Sequence, residues 1–121
     1  MDKTWKAIER RVASFLGGVR VPVSGRQRGH SPDVEHPLFS IEVKHRQSIP
    51  EWLFDAMDQA EQSRRDEQIP LVFLHQKGQT LHESLTVMRG GSILELQTRI
   101  QDLEERVEDL REQLRFYGGN S

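Results

Sequence analysis

The chain predicts an α/β protein: an α/β sandwich over residues 1–90, a coiled-coil helix over residues 91–117 and a frayed tail over residues 118–121. Three observations carry this. Helical and strand periodicities follow one another in the order helix, three strands, helix, one or two strands. Phe39-Ser40-Ile41-Glu42-Val43-Lys44 alternates apolar and polar residues, the period of a strand with one buried face. From Ile93 onward the pattern changes to spacings of three and four without a miss, which is a heptad repeat.

Composition bounds the function. Charged residues make up 30% of the chain, and no apolar run approaches the ~20 residues that a membrane-spanning helix needs. The N-terminus lacks the apolar segment of a signal peptide, so a cytoplasmic location is expected. Cysteine is absent, which excludes disulfides, thiolate metal sites and cysteine nucleophiles. The net charge of −2 hides a gradient: residues 1–50 carry a surplus of four positive charges, whereas residues 51–92 and 93–121 each carry a surplus of three negative ones. Positive charge thus gathers in the half that binding to a phosphate backbone would use.

Taken in order, Trp5, Ile8, Val12, Phe15 and Leu16 form one apolar stripe and predict a helix over residues 4–16. Gly17-Gly18 stops it, because glycine readily takes the left-handed conformation after a helix. Glu9 falls at the border of the stripe. Val19-Arg20-Val21-Pro22-Val23 reads as a short strand whose proline suggests an edge or an end. A polar loop follows, Ser24 to Ser31, bearing Arg26 and Arg28. Two strands then form a hairpin-like unit around His36-Pro37 and end at Lys44. His30, His36 and His45 lack the spacing that would gather them on one face, so they read as loop and surface residues rather than zinc ligands.

Ser48-Ile49-Pro50-Glu51 predicts a helix start with serine as cap and glutamate completing a capping box. That helix runs to about Arg65, burying Leu53, Phe54, Met57 and Ala60, with Gln59 polar beside them. Ile69-Pro70-Leu71-Val72-Phe73-Leu74 reads as a central buried strand. Gln76-Lys77-Gly78-Gln79 makes a turn, and Leu85-Thr86-Val87-Met88 a last strand. In the heptad segment, β-branched Ile93, Ile100 and Val107 occupy one core position and Leu96, Leu103 and Leu110 the other, followed by Leu114 and Tyr117. In parallel coiled coils that combination favours two strands. The flanking charges are mixed. In a parallel pair Arg99 faces Glu104 of the partner, but Arg106 faces Arg111, which leaves antiparallel pairing or packing back on the domain open.

The chemistry concentrates in Ser31 to Lys44. On the expected strand Glu42 and Lys44 point the same way, while Phe39, Ile41 and Val43 point into the core. A hairpin brings Asp33 close to them. Two carboxylates and a backbone carbonyl suffice for Mg²⁺, which prefers oxygen ligands and keeps several waters.

Glu9 on a first helix, Pro32-Asp33, Glu42-Val43-Lys44 and a following helix, in that order, resemble the PD-(D/E)xK nuclease superfamily. Within it, Val19 to Gly25 followed by Pro32-Asp33 is similar to the archaeal-type Holliday-junction resolvases, including those carried by phages; the likeness spans residues 4–90. The resemblance implies a restriction-endonuclease-like core, a mixed central sheet flanked by helices. It implies that Asp33, Glu42 and the Val43 carbonyl hold the metal, that Glu9 serves a second metal or water, and that Lys44 orients the attacking water. Ser24 then lies near the scissile phosphate, and Gln59 takes the place of a polar residue on the following helix. Arg20, Arg26 and Arg28 hold the DNA backbone.

The expected function is therefore a structure-selective DNA endonuclease with Mg²⁺, or Mn²⁺ in its stead, that hydrolyses branched DNA as a homodimer in a bacterial or phage-infected cell. A two-fold dimer would set two sites on opposing strands of a four-way junction. A nicking or flap endonuclease fits the same residues. A catalytically silent dimeric DNA-binding or scaffold protein fits the heptad tail.

Overall fold

The computed structural model describes residues 4–22 and 31–118. The predicted loop residues Ser24, Arg26, Arg28 and His30, and residues 119–121 of the predicted tail, lie outside the described residues. The chain is mixed α/β, with two small antiparallel sheets and a long C-terminal helix. It divides into two units, Met1–Ile49 and Pro50–Ser121.

The first unit holds α1 (Thr4–Leu16), β1 (Val19–Arg20), β2 (Val34–Glu35) and β3 (Ser40–Ile41). The three strands form one antiparallel sheet in chain order, with Arg20 opposite Val34 and Val34 opposite Ile41. Helix α1 packs on β1 and β2. Its buried line runs through Glu9 and Ala13, while Trp5 and Phe15, expected in the apolar stripe, are exposed. Ala13 on this face is buried, and Val34 of β2 is wholly buried. The helix ends as its glycines predict. Gly17 takes φ +77°, and the Gly18 N–H donates to the Ala13 carbonyl at 2.8 Å, the six-to-one bond of a Schellman ending.

Gly18 is required for a second reason. A Cβ placed there would lie 2.5 Å from the Glu35 carbonyl oxygen and 2.8 Å from Val34 Cγ1. Backbone cannot yield as a flexible side chain would, so Gly18→Ala is expected to destabilise the protein by about 1–3 kcal/mol, the usual cost of overpacking. Chemical denaturation of the variant checks this, and an unchanged midpoint would count against so tight a junction between α1 and β2.

Strand β3 stops at Ile41, short of the Lys44 expected, and β1 stops at Arg20. The pairing nevertheless continues by single hydrogen bonds. The Val21 N–H donates to the Asp33 carbonyl at 3.0 Å, and the Asp33 N–H to the Ile41 carbonyl at 3.0 Å.

The second unit holds α2 (Glu51–Ser63), β4 (Val72–Leu74), a 3₁₀ turn (Leu81–Glu83), β5 (Leu85–Val87) and α3 (Gly90–Gly118). The N-cap of α2 is Pro50, in extended conformation and without a side-chain cap bond. Ser48 therefore stands two residues before the cap and cannot complete the expected capping box; Glu51 still lies in the first turn, where its charge favours the helix dipole. Helix α2 packs on β4 and buries Met57. The expected central strand is much shorter than its apolar run. Pro70, which has no N–H for a ladder, is buried outside it, and Leu71 and Phe73 are exposed. The resemblance implies one mixed central sheet; among the described residues β4 pairs antiparallel with β5 alone, forming the second sheet.

Arg89, between β5 and α3, donates to Glu61 Oε1 at 2.7 Å and to Asp58 Oδ1 at 3.1 Å, tying that junction to α2. The bond to Glu61 raises its pKa above the ordinary arginine value. Gly90 and Gly91 form the first turn of α3. Its 29 residues give a rod roughly 43 Å long. No helix among the described residues is long and apolar enough to cross a membrane.

Candidate active site

Asp33 immediately precedes β2 and is buried, 9% exposed. Its backbone N–H donates to the Ile41 carbonyl, and its carboxylate Oδ2 accepts the Val43 N–H at 2.7 Å. One residue thus grips the following segment on both sides of Glu42. The β2–β3 register ends with Val34 opposite Ile41, and Glu42 is the next residue along the chain. Beyond the end of β3, the Asp33 carboxylate rather than a backbone carbonyl takes the Val43 N–H.

Glu42 and Lys44 are both exposed, whereas Val43 is half-buried. An acid and an ammonium therefore stand at the surface two residues apart, beside a carboxylate held in the protein. Two carboxylates and the Val43 carbonyl are oxygen donors of the kind that Mg²⁺ prefers. Among the described residues, no group of three or more His, Asp or Glu side chains is placed to hold a metal ion.

Glu9 is only 4% exposed, in the centre of the packed face of α1 rather than at the expected border. Arg20 Nε donates to its Oε2 at 3.1 Å. The Arg20 guanidinium also lies over the Trp5 ring, 5.8 Å from its centroid, and Lys6 Nζ approaches the same ring at 5.5 Å. Arg20, expected on the DNA backbone, has a side chain only 14% exposed and shields the Glu9 charge. Nothing in the sequence spacing announced this pair, since the two residues lie 11 apart across the α1–β1 turn.

His36 is another role that periodicity missed. Its Nδ1 accepts the N–H groups of Leu38 (3.0 Å) and Phe39 (3.3 Å), which leaves Nε2 to donate to the Leu16 carbonyl at 3.0 Å. It thereby shapes the β2–β3 turn and satisfies a carbonyl at the end of α1. Beside it an open groove is lined by Gly17, Val19, Glu35, His36 and Phe39. His45 is exposed.

Gln59 lies on α2 in the second unit, exposed, its backbone carbonyl accepting the Ser63 hydroxyl at 3.0 Å. The remaining expected site residues, Ser24, Arg26 and Arg28, are those outside the described region. No protein-family model matches this chain, and neither a curated protein nor a solved structure does so.

Proposed function

We propose that the chain is a metal-dependent, structure-selective DNA endonuclease with a core of the restriction-endonuclease type, which cleaves four-way junctions as a homodimer. The observation that carries the reading is the double grip of Asp33 on Ile41 and Val43. It holds the Asp33 carboxylate at the segment that carries Glu42, with Lys44 two residues on, in the half of the chain that carries the positive surplus.

Asp33, Glu42 and the Val43 carbonyl would hold Mg²⁺ or Mn²⁺. A metal so bound lowers the pKa of a coordinated water and acts as a Lewis acid toward the phosphate. The protein supplies the rest. Asp33 is oriented by the Val43 N–H, so little reorganisation is needed when a ligand arrives. Lys44 orients the attacking water and stabilises charge developing on the phosphate. Glu9 holds Arg20, and through it the α1–β1 corner, in place. Arg26 and Arg28, with Ser24, would meet the DNA backbone, which sets geometry rather than sequence.

Cleavage of a synthetic four-way junction, compared with linear duplex and flap DNA in Mg²⁺ and in EDTA, tests the proposal. Paired symmetric nicks confined to the junction and lost in EDTA are expected. Equal cutting of duplex or flaps would keep the nuclease and remove the junction. Binding without any metal-dependent cleavage would leave a silent DNA-binding scaffold.

A further inference from the structure

We infer that the C-terminal helix pairs antiparallel with a second copy of this chain, with Leu103 against Leu114 and Val107 against Leu110. The inference rests on the homodimer in the reading above and adds its direction and register.

Two observations choose the direction. The heptad positions are not equally available. Ile93 and Leu96 are half-buried within their own chain, whereas Ile100, Leu103, Val107, Leu110, Leu114 and Tyr117 are all exposed, from 39% at Ile100 to 76% at Tyr117. The open seam therefore runs from Ile100 to Tyr117 and is centred between Val107 and Leu110. An antiparallel pair about that centre covers every open position and asks nothing of Ile93 and Leu96. A parallel pair in register would draw on those two, which are already half-buried in their own chain.

Charge points the same way. In a parallel pair the favourable contact is Arg99 with Glu104 of the partner, and the unfavourable one is Arg106 with Arg111. Arg99 is already engaged: its Nη2 donates to the Glu67 carbonyl at 2.6 Å and to Glu95 Oε1 at 2.7 Å. Glu67 has φ +68°, the left-handed region that side chains rarely adopt, and the guanidinium holds its carbonyl there. Drawing Arg99 toward a partner would compete with those bonds and leave two Arg–Arg contacts uncompensated. In the antiparallel register the flanking pairs are Glu104 with Arg111, twice by symmetry, and Arg106 with Gln113. All are favourable or neutral. Within its own chain Arg111 reaches Glu108 only at 4.0 Å, while Arg115 holds the same carboxylate at 3.1 Å, so Arg111 is available to a partner.

Sedimentation equilibrium and cysteine crosslinking of the full chain test this. Arg111→Glu reverses sign between the two directions. It sets Glu against Glu104 twice in the antiparallel pair and is expected to weaken the dimer about tenfold. In a parallel pair it would turn two Arg–Arg contacts into ion pairs and tighten the dimer. Adding Glu104→Arg is expected to restore the antiparallel dimer. Because the chain has no cysteine, mixed Leu103→Cys and Leu114→Cys proteins report register directly. Crosslinks between unlike variants are expected. Crosslinks between like variants, or a tighter Arg111→Glu dimer, would overturn the direction. A wild-type chain that stays monomeric at every concentration would overturn the homodimer itself.

Discussion

Asp33→Asn is expected to lower Mg²⁺-dependent junction cleavage by about 10³-fold or more while leaving the fold and DNA binding close to wild type. The amide keeps an oxygen where Oδ2 accepts the Val43 N–H at 2.7 Å, so the grip on the segment around Glu42 survives. What is lost is the charge that a divalent cation needs. Forfeiting about 4 kcal/mol of transition-state stabilisation corresponds to about 10³ in rate. Asp33→Ala removes both functions: it leaves the Val43 N–H without its acceptor, at a cost of about 1–3 kcal/mol. Circular dichroism, thermal unfolding and junction binding separate the two effects. The asparagine variant should melt near wild type and bind without cutting, whereas the alanine variant should melt lower as well. Undiminished cleavage by either variant would remove Asp33 from the chemistry and the nuclease reading with it.

The pattern of the chain was legible where it is periodic. The span of α1, its glycine ending and the long heptad helix all follow from spacings of three and four or from a glycine pair, because local backbone physics decides them. Strand extents were not legible in the same way. Ile69 to Leu74 is apolar enough for a central strand, yet only three of its residues pair, and its ladder partner is β5 alone among the described residues. Pairing is a property of two segments, and hydropathy reports only one. The Ser48 capping box failed for a related reason: Pro50 takes the cap position itself and displaces the motif from its register. At the candidate site, the sequence brought out Asp33, Glu42 and Lys44 through strand alternation and a nearby Pro-Asp. It was silent on the Val43 N–H that holds Asp33, on the commitment of Arg20 to Glu9, and on both nitrogens of His36. Of these, the Glu9–Arg20 pair and the His36 bond to Leu16 depend on how α1 packs on the sheet, which no spacing encodes.

The Glu9–Arg20 pair gives the largest expected effect on stability, and it also divides structure from chemistry. The Glu9 carboxylate is only 4% exposed and has the Arg20 guanidinium 3.1 Å away. Arg20→Met is expected to cost about 3–5 kcal/mol, because it removes a buried guanidinium partner of the Glu9 carboxylate. Against a total stability of about 5–15 kcal/mol, that loss would leave the variant near its unfolding threshold. Glu9→Gln combined with Arg20→Met should recover most of it, since replacing both members of a buried pair is often close to neutral. Thermal unfolding of the two single variants and the double variant closes the cycle. Equal destabilisation in the double variant would mean that the pair contributes packing rather than charge balance. The double variant then answers the chemical question, because it folds without the acid. Wild-type cleavage by it would make Glu9 a positioning residue for the α1–β1 corner. A loss of cleavage with junction binding intact would make Glu9 part of the metal or water chemistry, and would require Arg20 to swing away from it during turnover.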